Sequence, residues 1–411
     1  MMLNKYLPVA YIYFFINAVA LPFGLTYTAL LAPVFYVWIL LVRKKEVLLP
    51  FIIILFPFIF IHLTIVESEI KTYAVSLINL LLVYISCQAV YTFLLYCNDI
   101  EKIFRRIVII NFIACLLAIP LYFTPWFFIV WDEQVLRAGV GPIRRLKLLT
   151  YEPSYYALLF IPFFFYFLLQ FLFRQNKIHG GLLLLMLFLP YLLSFSLGVM
   201  GAIVVAGVIT WFIHFRKLTA KRRIANAIIT GWVTSVSALV VLMLFFRQNP
   251  VFARIGNIFS GEDNSAKGRT VDAYLIANKI LQEKNEYFGI GLGQIKIAGD
   301  DIIRNYYLYN MDIVVSIPNA AAETLAIFGW VGLTLRIAIE LFLFVYTRVW
   351  TNYYRLLLFI FIFIYQFTGS FITNLAEYVI WILAFTNVFS QFNVKSKNET
   401  WEATLTGQVR V

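Results

Sequence analysis

The chain has 411 residues, of which 62% are hydrophobic, 18% are aromatic and only 13% are charged. Soluble domains carry about 25% charged and about 45–50% apolar residues, so this composition excludes a soluble globular protein and indicates a polytopic membrane protein. The formal net charge of +12 does not predict a nucleic-acid partner, because membrane proteins collect lysine and arginine in their cytoplasmic loops.

Membrane-spanning helices need about 20 apolar residues, with a range of about 17 to 25. Measured with this length, the sequence divides into twelve apolar segments. We therefore predict an all-α polytopic membrane protein with about twelve transmembrane helices. Their predicted spans are 6–22, 25–42, 47–66, 72–96, 107–123, 153–173, 181–197, 200–215, 224–246, 320–346, 356–372 and 377–393.

The apolar N-terminus has no small-residue cleavage pattern and runs directly into more apolar sequence, which is typical of a retained first helix. Placing both termini in the cytoplasm puts most lysines and arginines in cytoplasmic loops, and only Lys71 in the short outside loops. We predict a single transmembrane domain over 1–393 and a cytoplasmic tail over 394–411. Two longer extracytoplasmic loops are predicted at 124–152 and 247–319.

The first long loop is strongly basic where it meets the sixth predicted helix, in the stretch RAGVGPIRRLKLLTYEPSYYA. Arginine holds phosphate oxygens with its planar guanidinium and stays charged, so this stretch predicts a phosphate or pyrophosphate site. Contact with anionic lipid headgroups is the alternative. Pro153 suits a first helical turn and would hold Glu152 at the helix rim as a candidate base. The positive charges before Glu152 are Arg137, Arg144, Arg145 and Lys147.

The second long loop is predicted to contain an amphipathic helix near 270–284, lying against the membrane surface, because apolar residues recur there at helical spacing. Arg254, Arg269 and Arg304 are further candidates for the same anion, and Asp272 is the alternative carboxylate.

The same loop contains the glycine-rich segment FGIGLGQ, with Gly289, Gly291 and Gly293. The segment lacks the strand, helix and acidic residue that a dinucleotide-binding fingerprint requires. Two explanations remain open: a turn whose backbone N–H groups approach an anion, and a plain turn without a ligand.

Arg336 and Glu340 stand four residues apart in the tenth predicted span, so they share one helix face and can neutralise each other. We expect this pair near the inner surface, either as a satisfied structural pair or as part of a functional site. No Cys/His spacing or histidine motif predicts a metal site, and Cys87, Cys97 and Cys115 show no disulfide pattern.

Four motifs, taken in order, resemble a known family. They are YEPSYYA opening a middle helix, a later GRT segment, FGIGLGQ, and IPNAAAETLAIFGWVG leading into a late helix. Together they resemble the O-antigen polymerase and ligase superfamily of bacterial membrane proteins, closest to the Wzy-type polymerases. The resemblance implies a fold of the GT-C glycosyltransferase type. It makes motif residues of Pro153, Ser154, Tyr155, Asn319 and the three glycines of FGIGLGQ.

The resemblance also implies inverting, metal-independent glycosyl transfer without a cofactor, at the outer face of the bacterial inner (plasma) membrane. The glycan on undecaprenyl pyrophosphate would move onto the next lipid-linked repeat unit, with a chain-length regulator protein as a further partner. On this expectation Arg137, Arg144, Arg145 and Arg269 hold the pyrophosphate, and Glu152 is the base or orients the acceptor.

Two alternatives stay open. A ligase would transfer the finished glycan to another acceptor, although Pro318 stands where the related ligases typically have histidine. A transporter of lipid-linked sugars would concentrate its functional polar groups at the membrane midplane and show internal repeats.

Overall fold

The structure, a computed structural model, describes residues 7–17, 27–134, 143–173, 175, 178–219, 237, 260, 264–307 and 316–394. Within these residues the chain is mostly helical, as predicted. Arg137, Arg254 and nearly all of the predicted ninth span, 224–246, lie outside the described residues.

The helices of the first half overlap the predicted spans, although the fifth begins at Ile100 rather than at 107 and the first predicted span is described only to Asn17. They are α1 (Leu7–Tyr11, continued by a π turn over Ile12–Ile16), α2 (Tyr27–Arg43), α3 (Leu49–Thr64), α4 (Ile70–Tyr96), α5 (Ile100–Leu121), α6 (Pro153–Phe173), α7 (Gly180–Ser194), α8 (Leu197–Ile213) and the short α9 (Phe215–Thr219).

The described helices of the second half are of two kinds, short helices of the second long loop and apolar helices of the bundle. The former are α10 (Asn264–Arg269), α11 (Val271–Gln282) and α12 (Asp300–Tyr307), and the latter are α13 (Ala320–Tyr346), α14 (Tyr353–Tyr365) and α15 (Leu375–Phe385). Among the described residues, α4, α5, α6 and α13 are long and apolar enough to cross a membrane, and six further apolar helices are shorter. These lengths fit a membrane-embedded protein.

The last two helices are shorter than the predicted spans 356–372 and 377–393. Helix α14 has 13 residues and α15 has 11. The chain leaves the helical conformation between them, where Ser370 has a φ of 69° and Asn374 caps the next helix with its side chain. Residues 366–374 therefore form an irregular connection rather than a continuation of α14.

Helix α6 is the centre of the bundle. Its side chains from Pro153 to Phe167 are buried all round, as expected of a helix that is apolar on every face. It packs against α7, α8, α14 and α15. The motif YEPSYYA therefore begins an enclosed helix, and the polar residues of the motif lie at the N-terminal end of that helix.

The first long loop contains a β-hairpin, so the all-α prediction is wrong here. Strands β1 (Trp131–Gln134) and β2 (Ile143–Leu146) pair antiparallel, with Asp132 opposite Arg145 and Glu133 opposite Arg144. Opposite charges across a strand pair stabilise it. Two strands of four residues each show little alternation of polar and apolar residues, and sequence periodicity therefore does not detect them.

The second long loop builds its own hydrophobic core around α11. The predicted amphipathic helix is confirmed, but its apolar face packs on protein rather than on a membrane surface. Ile276, Ile280 and Leu281 lie in one buried cluster with Leu325 and Phe328 of α13. The amphipathic pattern indicated a buried face, and tertiary packing decided what covers it.

Helix α13 is broken at Gly329, whose φ of 66° and ψ of −168° are not helical. The segment 286–291 docks into the break and bonds the backbone groups that the break releases. The N–H groups of Ile290 and Gly291 donate to the carbonyls of Ala326 and Ile327, both at 3.0 Å. The N–H groups of Trp330 and Val331 donate to the carbonyls of Glu286 at 3.1 Å and Tyr287 at 3.0 Å. Irregular backbone inside a membrane protein requires such internal bonding.

The break turns the predicted span 320–346 into two helices. The part 320–328 is almost entirely buried, and the part 330–346 has a length on the order of 25 Å. Arg336 Nη1 donates to Thr324 Oγ1 at 3.0 Å although the two residues are 12 positions apart. Twelve positions along a straight helix correspond to about 18 Å. The two parts of α13 therefore fold toward each other.

The glycines at the break allow the two backbones to touch. Gly289 has a φ of 77°, and a Cβ added there would lie 2.3 Å from the carbonyl oxygen of Ile327. A Cβ on Gly329 would lie 2.3 Å from the carbonyl oxygen of Tyr287. The N–H groups of Gly289, Ile290 and Gly291 all bond within the protein. This favours the turn without a ligand over the anion-binding turn for FGIGLGQ.

We predict that Gly289→Ala destabilises the protein by at least about 2 kcal/mol, because alanine at positive φ costs roughly 1–2 kcal/mol and its Cβ would also collide with Ile327. Gly201→Ala is the matched control, since open space surrounds that position on α8 and alanine favours a helix by up to about 1 kcal/mol. Unfolding of the purified variants in detergent measures both. Equal stability of the two variants would contradict the docking role of Gly289.

Candidate functional site

Tyr365, at the end of α14, is the point at which charges from both long loops converge. The charges of Arg145, Glu152 and Arg269 all act on its buried hydroxyl group. Glu152 and Arg269 also act on Tyr151. Three of the residues predicted for the site, from β2, from the start of α6 and from the end of α10, therefore lie within electrostatic range of one buried tyrosine.

Glu152 is held at the start of α6 by its neighbours. Its backbone carbonyl accepts hydrogen bonds from Thr150 Oγ1 at 2.8 Å and from the Tyr156 N–H at 3.2 Å. Its carboxylate accepts a hydrogen bond from Ser154 Oγ and stays partly exposed. Pro153 is the first residue of α6, as predicted. Ser154, predicted only as a motif residue, orients the carboxylate.

Tyr155 connects the same end of α6 to the N-terminal helix. Asn17 Nδ2 donates to the Tyr155 hydroxyl at 2.8 Å, and Thr28 Oγ1 donates to Asn17 Oδ1 at 3.0 Å. The Tyr155 ring lies 4.8 Å from the ring of Tyr151, measured between centroids. Two aromatic rings therefore lie next to Glu152.

The arginines of the hairpin differ in their surroundings. Arg145 is buried, and its Nε donates to the carbonyl of Ser194 at 3.0 Å, at the end of α7. Arg144 donates to the carbonyl of Tyr122, and its guanidinium carbon lies 3.7 Å from the centre of the Phe127 ring. Arg144 therefore holds the hairpin to the bundle, whereas the charge of Arg145 acts on Tyr365.

Two other predicted residues are engaged within the second loop. Arg304 forms an ion pair with Asp300 on the same helix, with Nε 2.7 Å from Oδ2. Asp272 is buried and accepts a hydrogen bond from the Tyr306 hydroxyl at 2.9 Å, which raises the pKa of Tyr306.

Asn319, a predicted motif residue, fixes Arg269 in place. Its buried side chain donates through Nδ2 to the carbonyl of Arg269 at 2.8 Å and to that of Phe367 at 2.6 Å. Its Oδ1 accepts the N–H of Ala322 at 2.9 Å and so caps α13. One side chain thus joins the second loop, the end of α14 and the start of α13.

An ionic network lies directly beside these residues. Arg336 donates through Nε to Gln366 Oε1 at 2.8 Å, and its Nη2 contacts Glu377. The predicted pairing of Arg336 with Glu340 is confirmed, with Nε 3.2 Å from Oε1. Arg336 lies beside Thr324, near the start of α13. Our placement of the pair near the inner surface stays a prediction.

Glu377 and Gln366 are members of the network that sequence reasoning missed. The charge of Glu377 also acts on Tyr365, which connects the network to the loop arginines. An isolated carboxylate in an apolar segment is itself a signal, since burial of an ionisable group in a membrane is unfavourable. That signal marks Glu377, but the identity of its partner comes only from the packing of α13 against α14 and α15.

An apolar cavity of about 710 Å³ lies between α3, α4, α13 and α15. Thr324, Arg336 and Glu340 line its polar side. Ile54 and Leu335 also line it and are exposed on the surface of the bundle. The volume lies within the range of about 300–1,000 Å³ that is typical of ligand sites.

No protein-family model matches the chain, and a search of the curated proteins finds no match.

We predict that Asn319→Asp loosens Arg269 without removing the cap of α13. The carboxylate still accepts the Ala322 N–H but no longer donates to the carbonyls of Arg269 and Phe367, at a cost of about 1–3 kcal/mol. Amide hydrogen exchange of residues 264–270, measured by mass spectrometry, should become faster.

Asn352→Asp is the control for this substitution. Asn352 caps α14 in the same way and donates through Nδ2 to the carbonyl of Phe389 at 2.8 Å. This variant should lower stability without changing exchange in 264–270. Unchanged exchange there in the Asn319→Asp protein would contradict the role of Asn319.

Proposed function

We propose that the chain is an inverting, metal-independent glycosyltransferase of the Wzy type, which polymerises undecaprenyl-pyrophosphate-linked repeat units at the outer face of the bacterial plasma membrane. The observation that carries the proposal is that the charges of two arginines and one carboxylate act on Tyr365, whose neighbour Gln366 bonds Arg336 at the wall of an apolar cavity. A pyrophosphate leaving group needs fixed positive charge, an acceptor hydroxyl needs a base, and a lipid tail needs an apolar surface. The three features match these three requirements.

In the proposed reaction Arg145 and Arg269 bind the pyrophosphate of the donor. The bond between the sugar C1 and the pyrophosphate oxygen breaks, and the leaving group keeps the electron pair. Two fixed guanidinium groups stabilise the negative charge that develops on it. Arg145 is well suited to this role because its burial and its bond to Ser194 orient it in advance.

Glu152 takes the proton of the acceptor hydroxyl, whose oxygen forms the new bond to C1 from the face opposite the leaving group. The configuration at C1 is therefore inverted. Ser154 supports this role because it holds one carboxylate oxygen and leaves the group partly exposed. The cavity accommodates part of a polyprenyl tail, since most of its lining residues are apolar.

A transporter of lipid-linked sugars is the second candidate. Arg336 and Glu340 line the cavity, and ionisable residues at membrane depth are typical of transport pathways. Ionisable side chains on the wall of the cavity favour a transporter, whereas the distribution of charges in the sequence did not. A ligase for finished glycan has no such specific support.

The purified protein in liposomes distinguishes these functions. A polymerase should convert purified lipid-linked repeat units into a ladder of longer glycans without any other enzyme, as seen by gel electrophoresis. Movement of the units across the bilayer without lengthening would instead support the transporter. The absence of both activities in folded protein would overturn the proposal.

We predict that Glu152→Gln lowers the rate of lengthening by about 100- to 10,000-fold, the usual contribution of a general base. The amide keeps the shape of the side chain but does not accept the proton. Asp272→Asn is the control and should keep most activity, because Asp272 is engaged by the Tyr306 hydroxyl. Full activity of the Glu152→Gln protein at normal protein levels would refute its role as base.

We predict that Arg269→Ala lowers the rate of lengthening by about 100- to 1,000-fold, because one stabilising group of the transition state is lost. Arg304→Ala is the matched control, since Arg304 is paired with Asp300 on α12. Rates measured at saturating substrate separate the loss of catalysis from weaker binding. Similar rates for the two variants would argue against pyrophosphate binding by Arg269.

A further inference from the structure

Helix α5 reaches the length of a membrane span only when its charged first turns are included. Arg106, in the second turn, is exposed, and an exposed charge lies at the edge of the hydrocarbon rather than inside it. From Ile107 to Leu121 the helix rises only about 22 Å, whereas the hydrocarbon core of a bilayer is about 30 Å thick. About 8 Å of apolar thickness therefore remains beyond the end of α5.

Residues 122–130, called the exposed turn below, follow α5 directly and contain no charged residue. They include a 3-10 helix over Pro125–Ile129. Phe123, Trp126 and Phe128 are 80%, 62% and 58% exposed. The rings of Trp126 and Phe128 lie 6.3 Å apart, measured between centroids. Exposed apolar side chains of this size, so close together, mark a surface that is covered in the native environment.

The exposed apolar residues of α5 lead along the chain into this turn. Ile113, Leu116 and Leu117 are all exposed, and Leu117 lies one helical turn before the end of α5. On a membrane-spanning helix an exposed apolar face contacts lipid. Lipid that covers this face of α5 reaches the exposed turn as well, because about 8 Å of the hydrocarbon core is still to be crossed.

The backbone at the end of α5 is bonded as a membrane environment requires. The last carbonyls of a helix have no partners within the helix and often bond water instead. Here the carbonyl of Pro120 accepts the Phe123 N–H at 3.2 Å. The carbonyl of Leu121 accepts the N–H of Thr124 at 3.1 Å and its hydroxyl at 3.0 Å. These two carbonyls therefore need no water.

The β-hairpin supplies partners for two further carbonyls of this region. Trp131 is buried, and its Nε1 donates to the carbonyl of Ala118 at 2.8 Å. Arg144 donates to the carbonyl of Tyr122. Such internal bonding is the condition under which a helix end and an irregular turn lie at membrane depth.

We propose that the exposed turn is a membrane-embedded element, in which Phe123, Trp126 and Phe128 insert at the boundary between lipid chains and headgroups. By the predicted topology this boundary belongs to the outer leaflet. Tryptophan is enriched at this boundary, and phenylalanine is apolar enough to insert there. A second copy of the chain would cover the turn without filling the missing thickness of α5. The inference does not depend on the proposed transferase activity.

Insertion of the turn sets the depth of the hairpin. The first charges after the turn are Asp132 and Glu133, so the predicted loop 124–152 enters water at the hairpin rather than at residue 124. Arg144 joins the hairpin to Tyr122, and the next residue, Arg145, is thereby held close to the level of the lipid headgroups. That is the level of a lipid-linked pyrophosphate, a consequence that rests on the proposed function.

Fluorescence quenching of the full-length protein in liposomes tests the insertion. Phe123→Cys and Phe128→Cys are each labelled with the small fluorophore bimane, which reacts with the new cysteine because Cys87, Cys97 and Cys115 are buried. Phospholipids with brominated chains quench the label from within the membrane, and iodide quenches it from water. Both labels should lose fluorescence to the brominated chains and should be shielded from iodide. Trp126→Cys replaces either variant if that variant does not fold.

Two further labelled positions calibrate the measurement. Leu117→Cys is the lipid-facing reference, because Leu117 is exposed on α5. Glu283→Cys is the aqueous reference, because Glu283 is an exposed charged residue at the end of α11. Quenching of the turn by iodide, as at position 283, would overturn the proposal. Protection from both quenchers would overturn it too, since protein and not lipid would then cover the turn.

Discussion

The backbone contact between the segment 286–291 and the break in α13 is the constraint on which the rest of the structure depends. Gly289 and Gly329 let two backbones approach to a distance at which any Cβ would collide. The hydrogen bonds across this contact replace those that the helix loses at Gly329. The second loop is thereby attached to the bundle, and the two parts of α13 fold toward each other.

This folding determines where the polar groups meet. The first part of α13 lies under α11, and its cap, Asn319, holds Arg269 against the end of α14. The second part carries Arg336 back to Thr324. Residues that a straight helix would separate by about 18 Å therefore lie in one polar layer, and both the loop charges and Glu377 act on Tyr365.

Burial separates the arginines of the first loop into two roles. The hairpin holds Arg144 against Phe127 and Tyr122. The Arg144 guanidinium lies over both rings and donates to the carbonyl of Tyr122. The next residue along the strand, Arg145, points to the opposite face, as strand geometry requires, and reaches the end of α7. Adjacent arginines in one basic run thus differ in what they can bind, and net charge alone does not distinguish them.

The sequence by itself determined the membrane class, the bounds of most apolar helices, the position of Glu152 and Pro153 at the start of α6, and the pairing of Arg336 with Glu340. These features follow from local composition and helical spacing, which short stretches of sequence contain. Only the tertiary structure decided that α13 breaks at Gly329, that the charges of Arg145, Arg269 and Glu152 act on Tyr365, and that Glu377 joins Arg336. Each of these depends on contacts between segments far apart in the chain, and neither hydropathy nor periodicity carries information about such contacts.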